Sequence, residues 1–218
     1  MQFQDRKHAG KVLVGKLERY RDNPDVIVLA LPRGGVPVAF EVAKALNAPL
    51  DVFIVRKLGV PGHEEYAIGA IASGGVRVMN PDVAGMRLPE SAVEAVVARE
   101  HKELERREHL YRGDRPPLEL GGRIVILVDD GLATGSTMRA AAIAVKQQKP
   151  SRSVVAVPVA APDTCEQFRA EVDEVVCAIT PEPFRAVGMW YEDLAQTTDD
   201  EVHTLLAATG AFKRPHIV

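Results

Sequence analysis

Cysteine and aromatic residues are scarce in this chain of 218 residues, which contains two cysteines, one tryptophan, four tyrosines and six phenylalanines. Two cysteines are too few for a disulfide framework, and Cys165 and Cys177 have neither the CxxC spacing nor the nearby histidine of a zinc site. We therefore expect both to be buried free thiols in a reducing compartment, and we expect the protein to be cytoplasmic.

Long hydrophobic runs are also missing. The longest are residues 26–31 and 154–161, and both are much shorter than the roughly 18 apolar residues that indicate a membrane span. Residues 1–15 mix charged and apolar side chains and lack the continuous apolar stretch of a secretory signal. The sequence therefore predicts no membrane association and no export.

There is no excess of positive charge. The 27 Lys and Arg residues stand against 30 Asp and Glu residues, which gives a formal net charge of −3 at pH 7. Proteins that bind nucleic acid without sequence preference usually present a broad positive field. Nucleic acid is therefore not an expected partner, although a local basic site is compatible with this balance.

Short apolar runs alternate with amphipathic stretches along the chain. The apolar runs predict strands at residues 26–31, 52–55, 124–128, 153–159 and 172–178. Helix periodicity falls at residues 5–20, 36–46, 137–148 and 164–171, and a long helix follows Pro89. Because continuous apolar strands are typical of parallel sheets covered on both faces, this alternation predicts an α/β fold with a doubly wound, mainly parallel sheet flanked by helices.

Two segments interrupt the alternation in the first half of the chain. Residues 58–66 contain glycine, proline and two adjacent glutamates, which predicts an exposed flexible loop. Residues 73–75, a serine and two glycines, separate two apolar runs and predict a hairpin.

The pattern changes again after Thr180, where prolines and aromatic rings crowd together before a closing helix at residues 199–208. We interpret this part as a small cap over one end of the sheet. Residues 1–218 then form a single domain, with a core of about residues 1–179 and a cap of about residues 180–218.

The strand Ile124–Val128 is followed by the sequence DDGLATGST at residues 129–137. In open α/β sheets, ligands bind beyond the carboxyl ends of the strands. The two carboxylates, Asp129 and Asp130, suit the hydroxyl donors of a vicinal diol rather than a phosphate, because like charges repel. Small residues at a helix N-terminus can surround an anion with backbone N–H groups and hydroxyls, and this turn offers Ala133, Thr134, Gly135, Ser136 and Thr137.

An acidic pair followed by an anion-binding turn indicates that the ligand is a phosphorylated sugar. The alternative is that Asp129 and Asp130 only cap a turn and that Ser136 or Thr137 only caps a helix. The turn has no GxGxxG motif and no P-loop lysine, and the chain has no GxSxG nucleophile elbow. A dinucleotide-binding fold, a P-loop NTPase and an α/β-hydrolase are therefore not supported.

This segment resembles the phosphoribosyl pyrophosphate (PRPP) motif of the type I phosphoribosyltransferases. In that family the acidic pair holds the 2′- and 3′-hydroxyls of the ribose, and the following turn holds the 5-phosphate. The resemblance implies the first role for Asp129 and Asp130 and the second for residues 133–137. The sequence departs from the motif at Gly131, where the family more often has an aliphatic residue. Over its whole length the chain resembles a bacterial group of phosphoribosyltransferases whose substrate is unassigned.

A second turn, residues 31–35, resembles the pyrophosphate loop of the same family. The resemblance implies a cis peptide bond between Pro32 and Arg33. Arg33 would donate to pyrophosphate oxygens, and Gly34 and Gly35 would let backbone N–H groups approach the ligand. The alternative is an ordinary strand-to-helix turn with a surface arginine.

Arg56 and Lys57 end the next strand, where the family carries a flexible catalytic loop that closes over the pyrophosphate. The resemblance implies that both residues bind phosphate oxygens and that residues 58–66 form the loop. The alternative is a plain surface pair. The catalytic residues implied by these likenesses are Asp129, Asp130, Arg33 and Lys57.

Residues 180–194 resemble the hood that covers the base in this family. The resemblance implies that Phe184 or Trp190 stacks on a flat base. The alternative is that these rings form the core of the cap itself.

Together, the likenesses imply transfer of the 5-phosphoribosyl group of PRPP to a nitrogen nucleophile, a nucleobase or a related amine, with release of pyrophosphate. They imply Mg²⁺ as cofactor, held by pyrophosphate and ribose oxygens without dedicated protein ligands, and a homodimer as the assembly. Two alternatives stay open. One is a non-catalytic regulatory protein that senses PRPP, and the other is an unrelated flavodoxin-like phosphate binder, which would not need Asp129 and Asp130.

Overall fold

The computed structural model describes residues 2–60, 63–79 and 88–209, with the backbone alone for residues 64–66. The strands in these residues are β1 (Val26–Ala30), β2 (Leu50–Val52), β3 (Val55–Val60), β4 (His63–Ala72), β5 (Val76–Met79), β6 (Ile124–Val128), β7 (Arg152–Val159) and β8 (Glu174–Ile179). The α-helices are α1 (Arg6–Val14), α2 (Gly35–Leu46), α3 (Glu90–Arg112), α4 (Ser136–Gln147), α5 (Pro162–Phe168) and α6 (Asp199–Ala208). Short 3₁₀ helices form at Glu18–Tyr20 and Val187–Trp190.

Five strands form a parallel sheet in the order β2-β1-β6-β7-β8. Alternate residues of β1 face opposite sides: Val26 and Val28 enter a core cluster with α1 and α2, whereas Ile27 and Leu29 enter a second cluster with α4 and α5. Because helices cover both faces, every residue of β1 is buried. The predicted doubly wound, mainly parallel α/β sheet is confirmed.

The strands β3, β4 and β5 form a separate antiparallel sheet. The predicted hairpin at residues 73–75 is confirmed, since these residues join β4 to β5. The single strand predicted at residues 52–55 is wrong, because β2 ends at Val52 in the parallel sheet and β3 begins at Val55 in the antiparallel one.

The exposed loop predicted at residues 58–66 is also wrong. Leu58 and Val60 are buried in the core cluster to which α3 contributes, and residues 63–66 belong to β4. Burial of these apolar side chains outweighs the loop-forming tendency of the glycines and the proline around them. Residues 61 and 62 themselves lie outside the described part of the chain.

The two cysteines do not remain free thiols, which corrects the expectation from the sequence. The chain turns back from α5 into β8, and this places the Cα atoms of Cys165 and Cys177 6.8 Å apart, with a disulfide between the side chains. Their separation along the chain gives no sign of this pairing, because the pairing depends on how α5 packs against β8.

The described part of the predicted cap, residues 180–209, contacts the N-terminal segment, and residues 210–218 lie outside the described part of the chain. The backbone N–H of Phe3 donates to the Trp190 carbonyl, and the Glu192 N–H donates to the Phe3 carbonyl, both at 2.8 Å. Helix α6, whose predicted bounds are confirmed, packs against α2 and α3. Among the described helices, none combines the length and the apolar character that a bilayer span requires.

Candidate active site

The acidic pair lies at the carboxyl end of β6, and each carboxylate has one oxygen engaged within the protein. Oδ1 of Asp129 accepts a hydrogen bond from the backbone N–H of Asp130 at 2.9 Å. Oδ2 of Asp130 accepts from Arg6, with distances of 2.9 Å to Nε and 2.8 Å to Nη2. Both aspartates are half-buried, and the Arg6 side chain is 14% exposed.

The environment of Asp129 disfavours its ionised form. Loss of hydration and then the charge of Asp130 raise the pKa of Asp129 well above its usual range. The Asp130 N–H and the Arg6 guanidinium act in the opposite direction. A ligand group that donates hydrogen bonds to this carboxylate would therefore stabilise its ionised form.

The second predicted turn packs directly against the acidic pair. The Pro32–Arg33 peptide bond is cis, as the likeness to the pyrophosphate loop predicts. A Cβ atom on Gly34 would overlap Oδ2 of Asp130, and one on Gly35 would lie 2.6 Å from the Val128 carbonyl oxygen. Only glycine fits at these two positions, because the backbone of one turn touches the backbone and carboxylates of the other.

The side chain of Arg33 points toward the cap. Its Nη1 lies 3.6 Å from Oδ1 of Asp199 at the start of α6. The Tyr111 hydroxyl donates to the same oxygen at 2.6 Å, and burial followed by this hydrogen bond raises the pKa of Tyr111 to about 12. Arg33 and residues 196–200 line a polar cavity of about 350 Å³.

The turn predicted to hold the 5-phosphate packs against α5. Gly135 has a φ of 71° and precedes α4, and a Cβ atom there would lie 2.6 Å from the Phe168 ring. The Thr164 hydroxyl donates to the Ala133 carbonyl at 2.6 Å. Within the described part of the protein, the backbone N–H groups of residues 133–137 donate no hydrogen bond. The turn thus presents a row of free donors at a helix N-terminus, as an anion site requires.

Arg56 and Lys57 lie near this turn. They line a cavity of about 390 Å³ together with Val55, Gly59, Arg99, Glu100 and Thr137. Both Nε and Nη2 of Arg56 donate to Oε2 of the buried Glu100, at 3.0 and 2.6 Å. Lys57 is exposed and forms no ion pair with the described residues. Arg33 does not line this cavity, so the predicted pyrophosphate ligands are divided between two cavities.

The cap fills the space created by Gly131. A Cβ atom on Gly131 would lie 2.5 Å from Cγ1 of Val187, in the 3₁₀ helix of the cap. The departure from the family motif at Gly131 is therefore matched by a close contact with the cap. Phe184 and Trp190 pack, half-buried, in a cluster with Phe3 and other apolar residues. This packing fits the alternative in which these rings form the core of the cap, and base stacking stays a prediction.

Comparison with known proteins bears on this arrangement. The family described as "Phosphoribosyl transferase domain" matches residues 3–192, which include both turns, the acidic pair and most of the cap before α6. The chain belongs to the phosphoribosyl transferase family.

The relatives of this chain match different shares of its length. Two strains of Mycobacterium tuberculosis have a protein named "Putative phosphoribosyl transferase" that is 48% identical over 205 residues, covering 94% of this chain and 46% of the relative. The chain thus spans about half the length of these curated relatives. The crystal structure of TT1426 from Thermus thermophilus is 45% identical, with a TM-score of 0.84 over 95% of this chain and 99% of that one. The "Bifunctional protein PyrR" of Chloroflexus aurantiacus is 33% identical over 128 residues, 57% of this chain and 65% of the relative.

Sequence reasoning missed four residues at this candidate site: Arg6, Tyr191, Arg99 and Glu100. Arg6 and Tyr191 reach Asp130 across 124 and 61 residues of chain. Arg99 and Glu100 belong to the mixed-charge stretch of α3, which has the pattern of a solvated helix face, although Glu100 is buried. One feature of the sequence indicates that Glu100 is buried: it lies eight residues after Ala92 and four before Leu104, a spacing that places it on the apolar face of α3.

Proposed function

We propose that this protein is an Mg²⁺-dependent phosphoribosyltransferase that transfers the 5-phosphoribosyl group of PRPP to a nitrogen nucleophile and releases pyrophosphate. The acceptor is a nucleobase or a related amine. The observation that carries the proposal is the packing of Gly34 and Gly35 against Asp129 and Asp130. It brings a turn suited to pyrophosphate beside carboxylates suited to a sugar diol, with free N–H donors for a phosphate on the next turn.

The proposal assigns one part of PRPP to each group of residues. Asp129 and Asp130 accept hydrogen bonds from the ribose hydroxyls, and residues 133–137 hold the 5-phosphate. Arg33 and the N–H groups of Gly34 and Gly35 bind the pyrophosphate, with Arg56 and Lys57 adding positive charge from the second cavity. Thr137 of the 5-phosphate turn lines the same cavity as Arg56 and Lys57, so the proposal places these two residues beside the phosphate groups of PRPP.

The reaction needs no covalent intermediate with the protein. The bond between carbon 1 and the pyrophosphate oxygen breaks and the electron pair leaves with pyrophosphate. The nitrogen lone pair forms the new bond, and the nitrogen releases its proton to solvent water. Positive charge develops on the sugar as the bond breaks, and the acidic pair stabilises it. Arg33 and Lys57 stabilise the negative charge of the leaving group, so catalysis consists of positioning and electrostatics.

Mg²⁺ would enter with the pyrophosphate. This ion prefers oxygen ligands and retains several waters. The pyrophosphate and ribose oxygens of PRPP would hold it, next to the carboxylates of Asp129 and Asp130 and the guanidinium of Arg33. When bound, it would neutralise charge on the leaving group. The proposal also includes a cytoplasmic location and a homodimer, with no membrane or nucleic-acid partner. The cytoplasm keeps most cysteines as thiols, whereas Cys165 and Cys177 form a disulfide in this structure.

The proposal is tested by pyrophosphate release from PRPP and Mg²⁺ in the presence of single nucleobases and amines. We expect one chemical class of acceptor to support turnover. Tight PRPP binding without pyrophosphate release from any acceptor would instead identify a regulatory protein that senses PRPP. Absence of PRPP binding would contradict both.

Replacing Arg33 by alanine separates the pyrophosphate site from the sugar-phosphate site. We expect Arg33→Ala to weaken pyrophosphate binding about tenfold, because one charge-assisted hydrogen bond is lost. Ribose 5-phosphate binding should change by less than about twofold, since Arg33 lies beside Asp199 and does not line the cavity that contains Thr137. Isothermal calorimetry with each ligand measures both values, and equal losses for the two ligands would show that Arg33 has another role.

A further inference from the structure

Arg6 joins the acidic pair to the cap. It is the first residue of α1, and the Asp5 side chain fixes this helix end by accepting from the His8 N–H at 2.6 Å. Through Nε and Nη2, Arg6 binds Oδ2 of Asp130, and through Nη1 it donates to the Ala195 carbonyl at 2.5 Å. All three groups of the guanidinium are therefore used, two on the sugar-binding turn and one on the cap.

The contacts of Arg6 determine which oxygen of Asp130 remains for a ligand. The two contacts from Arg6 to Asp130, through Nε and Nη2, both end on Oδ2. Oδ1 of Asp129 accepts a hydrogen bond from the Asp130 N–H. Within the described part of the protein, Oδ2 of Asp129 and Oδ1 of Asp130 accept no hydrogen bond. The pair thus offers one free acceptor from each carboxylate, which matches the two O–H donors of a vicinal diol.

The cap fixes the backbone of the same turn independently. The Tyr191 hydroxyl donates to the Asp130 carbonyl at 2.5 Å, and burial followed by the charge of Asp130 raises the pKa of this hydroxyl, so that it remains a donor. Tyr191 packs against the ring of Phe3, three residues before Arg6. The side chain and the backbone of Asp130 are therefore both held, one by Arg6 and the other by the cap.

We propose that Arg6 is a positioning residue for ribose recognition: by holding Oδ2 of Asp130 it directs Oδ1 toward one hydroxyl of the sugar, and it ties this orientation to the placement of the cap. The proposal rests on the assignment of Asp129 and Asp130 to the ribose. It goes beyond that assignment because it names the residue that orients the diol acceptors and explains why helix α1 touches the site.

The experiment compares Arg6→Gln with Arg6→Lys and with Arg112→Gln as a matched control. Arg112 forms an ion pair with Asp51 of similar burial, 9% and 12% exposed, away from the acidic pair. Calorimetry measures the binding of ribose 5-phosphate and of its 2-deoxy and 3-deoxy analogues to each variant.

We expect Arg6→Gln to weaken ribose 5-phosphate binding at least tenfold. Binding of the analogue that lacks the hydroxyl held by Asp130 should weaken by less than about threefold, because that contact is already absent. Arg6→Lys should recover part of the loss, since it restores the charge but not the forked geometry. Arg112→Gln should leave the preference among the three sugars unchanged. Equal losses for all three sugars in Arg6→Gln would overturn the proposal.

A second readout does not need a ligand. The charged and titratable groups that face the Asp129 carboxyl are Asp130, Arg6 and Tyr191. Removing the Arg6 charge should raise the pKa of Asp129 further in Arg6→Gln but not in Arg6→Lys, as measured by NMR titration of the carboxyl carbons. If wild-type protein bound no sugar phosphate while this shift appeared, the proposed function would fail and the action of Arg6 on the pair would stand. An unshifted Asp129 titration would overturn the action of Arg6.

Discussion

Replacing Asp129 by asparagine is expected to stabilise the folded protein at pH 7 and to weaken ribose 5-phosphate binding in the same variant. The carboxyl has a raised pKa in the folded state because it is desolvated beside Asp130. In the unfolded chain its pKa is near the ordinary value of about 3.9. Ionised Asp129 therefore destabilises the fold at neutral pH. The asparagine side chain removes that cost, while its amide oxygen still accepts from the Asp130 N–H.

The stability gained in Asp129→Asn should depend on pH. The folded protein binds the Asp129 proton more tightly than the unfolded chain, so the destabilisation is absent below the unfolded pKa and grows as pH rises toward the folded pKa. We therefore expect Asp129→Asn to raise the free energy of unfolding at pH 7 relative to the wild-type protein. Urea denaturation at pH 7 and near pH 4 measures the gain and its loss on acidification.

Asp173 provides a control of opposite sign. The N–H and hydroxyl of Ser153 donate to its carboxylate at 2.7 Å each, and these bonds lower the pKa of Asp173. Asp173→Asn should therefore reduce stability at pH 7, and its effect should shrink at low pH. If Asp129→Asn also lost stability at pH 7, the ionised Asp129 carboxylate would not destabilise the fold. This result would contradict the explanation that the protein keeps an unfavourable charge there for ligand binding.

Replacing Gly35 by alanine is expected to damage the site more broadly than any single charge removal. The added Cβ would lie 2.6 Å from the Val128 carbonyl oxygen and 3.0 Å from the Cα of Asp129, both of them backbone atoms that cannot rotate away. Helix propensity favours alanine over glycine by roughly 0.5–1 kcal/mol. Overpacking costs about 1–3 kcal/mol, so we expect a net loss of stability.

Ligand binding should fall as well, because the two turns must separate to admit the methyl group. We expect Gly35→Ala to weaken both pyrophosphate and ribose 5-phosphate binding at least tenfold, unlike Arg33→Ala, which should affect pyrophosphate alone. Gly15→Ala is the matched control: its φ is −58° and its nearest neighbour would be the Val12 carbonyl at an ordinary 3.5 Å. If Gly35→Ala and Gly15→Ala had the same denaturation midpoint and the same affinity for each ligand, close packing of the two turns would not be required for stability or binding.

The parts of the site that could be predicted are those encoded locally. The strand Ile124–Val128 and the nine residues after it contain the acidic pair, the turn and the helix start in one continuous segment. Strand and helix patterning places that segment at the carboxyl edge of the sheet without any knowledge of distant contacts. The same holds for α6, whose N-cap Thr198 and acidic first turn mark its beginning.

Long-range contacts explain what the sequence did not reveal. Nothing in the spacing of Arg6 and Asp130 indicates that they meet, because the contact depends on how α1 packs against α2, β7 and β8. Cys165 and Cys177 form a disulfide for a similar reason, since α5 folds back beside β8. Local composition misled at residues 58–66, where glycine and proline suggested a loop although Leu58 and Val60 are buried in a hairpin strand.

The central claim is that PRPP binds at the edge of the sheet where the acidic pair meets the two turns. Its most direct test is a calorimetric titration of wild-type protein and of the Asp129→Asn, Asp130→Asn double variant with PRPP in the presence of Mg²⁺. We predict one binding site in the wild-type protein and an affinity at least tenfold lower in the double variant, about 1.4 kcal/mol. Unchanged affinity in a double variant that remains folded would place the PRPP site elsewhere and contradict the claim.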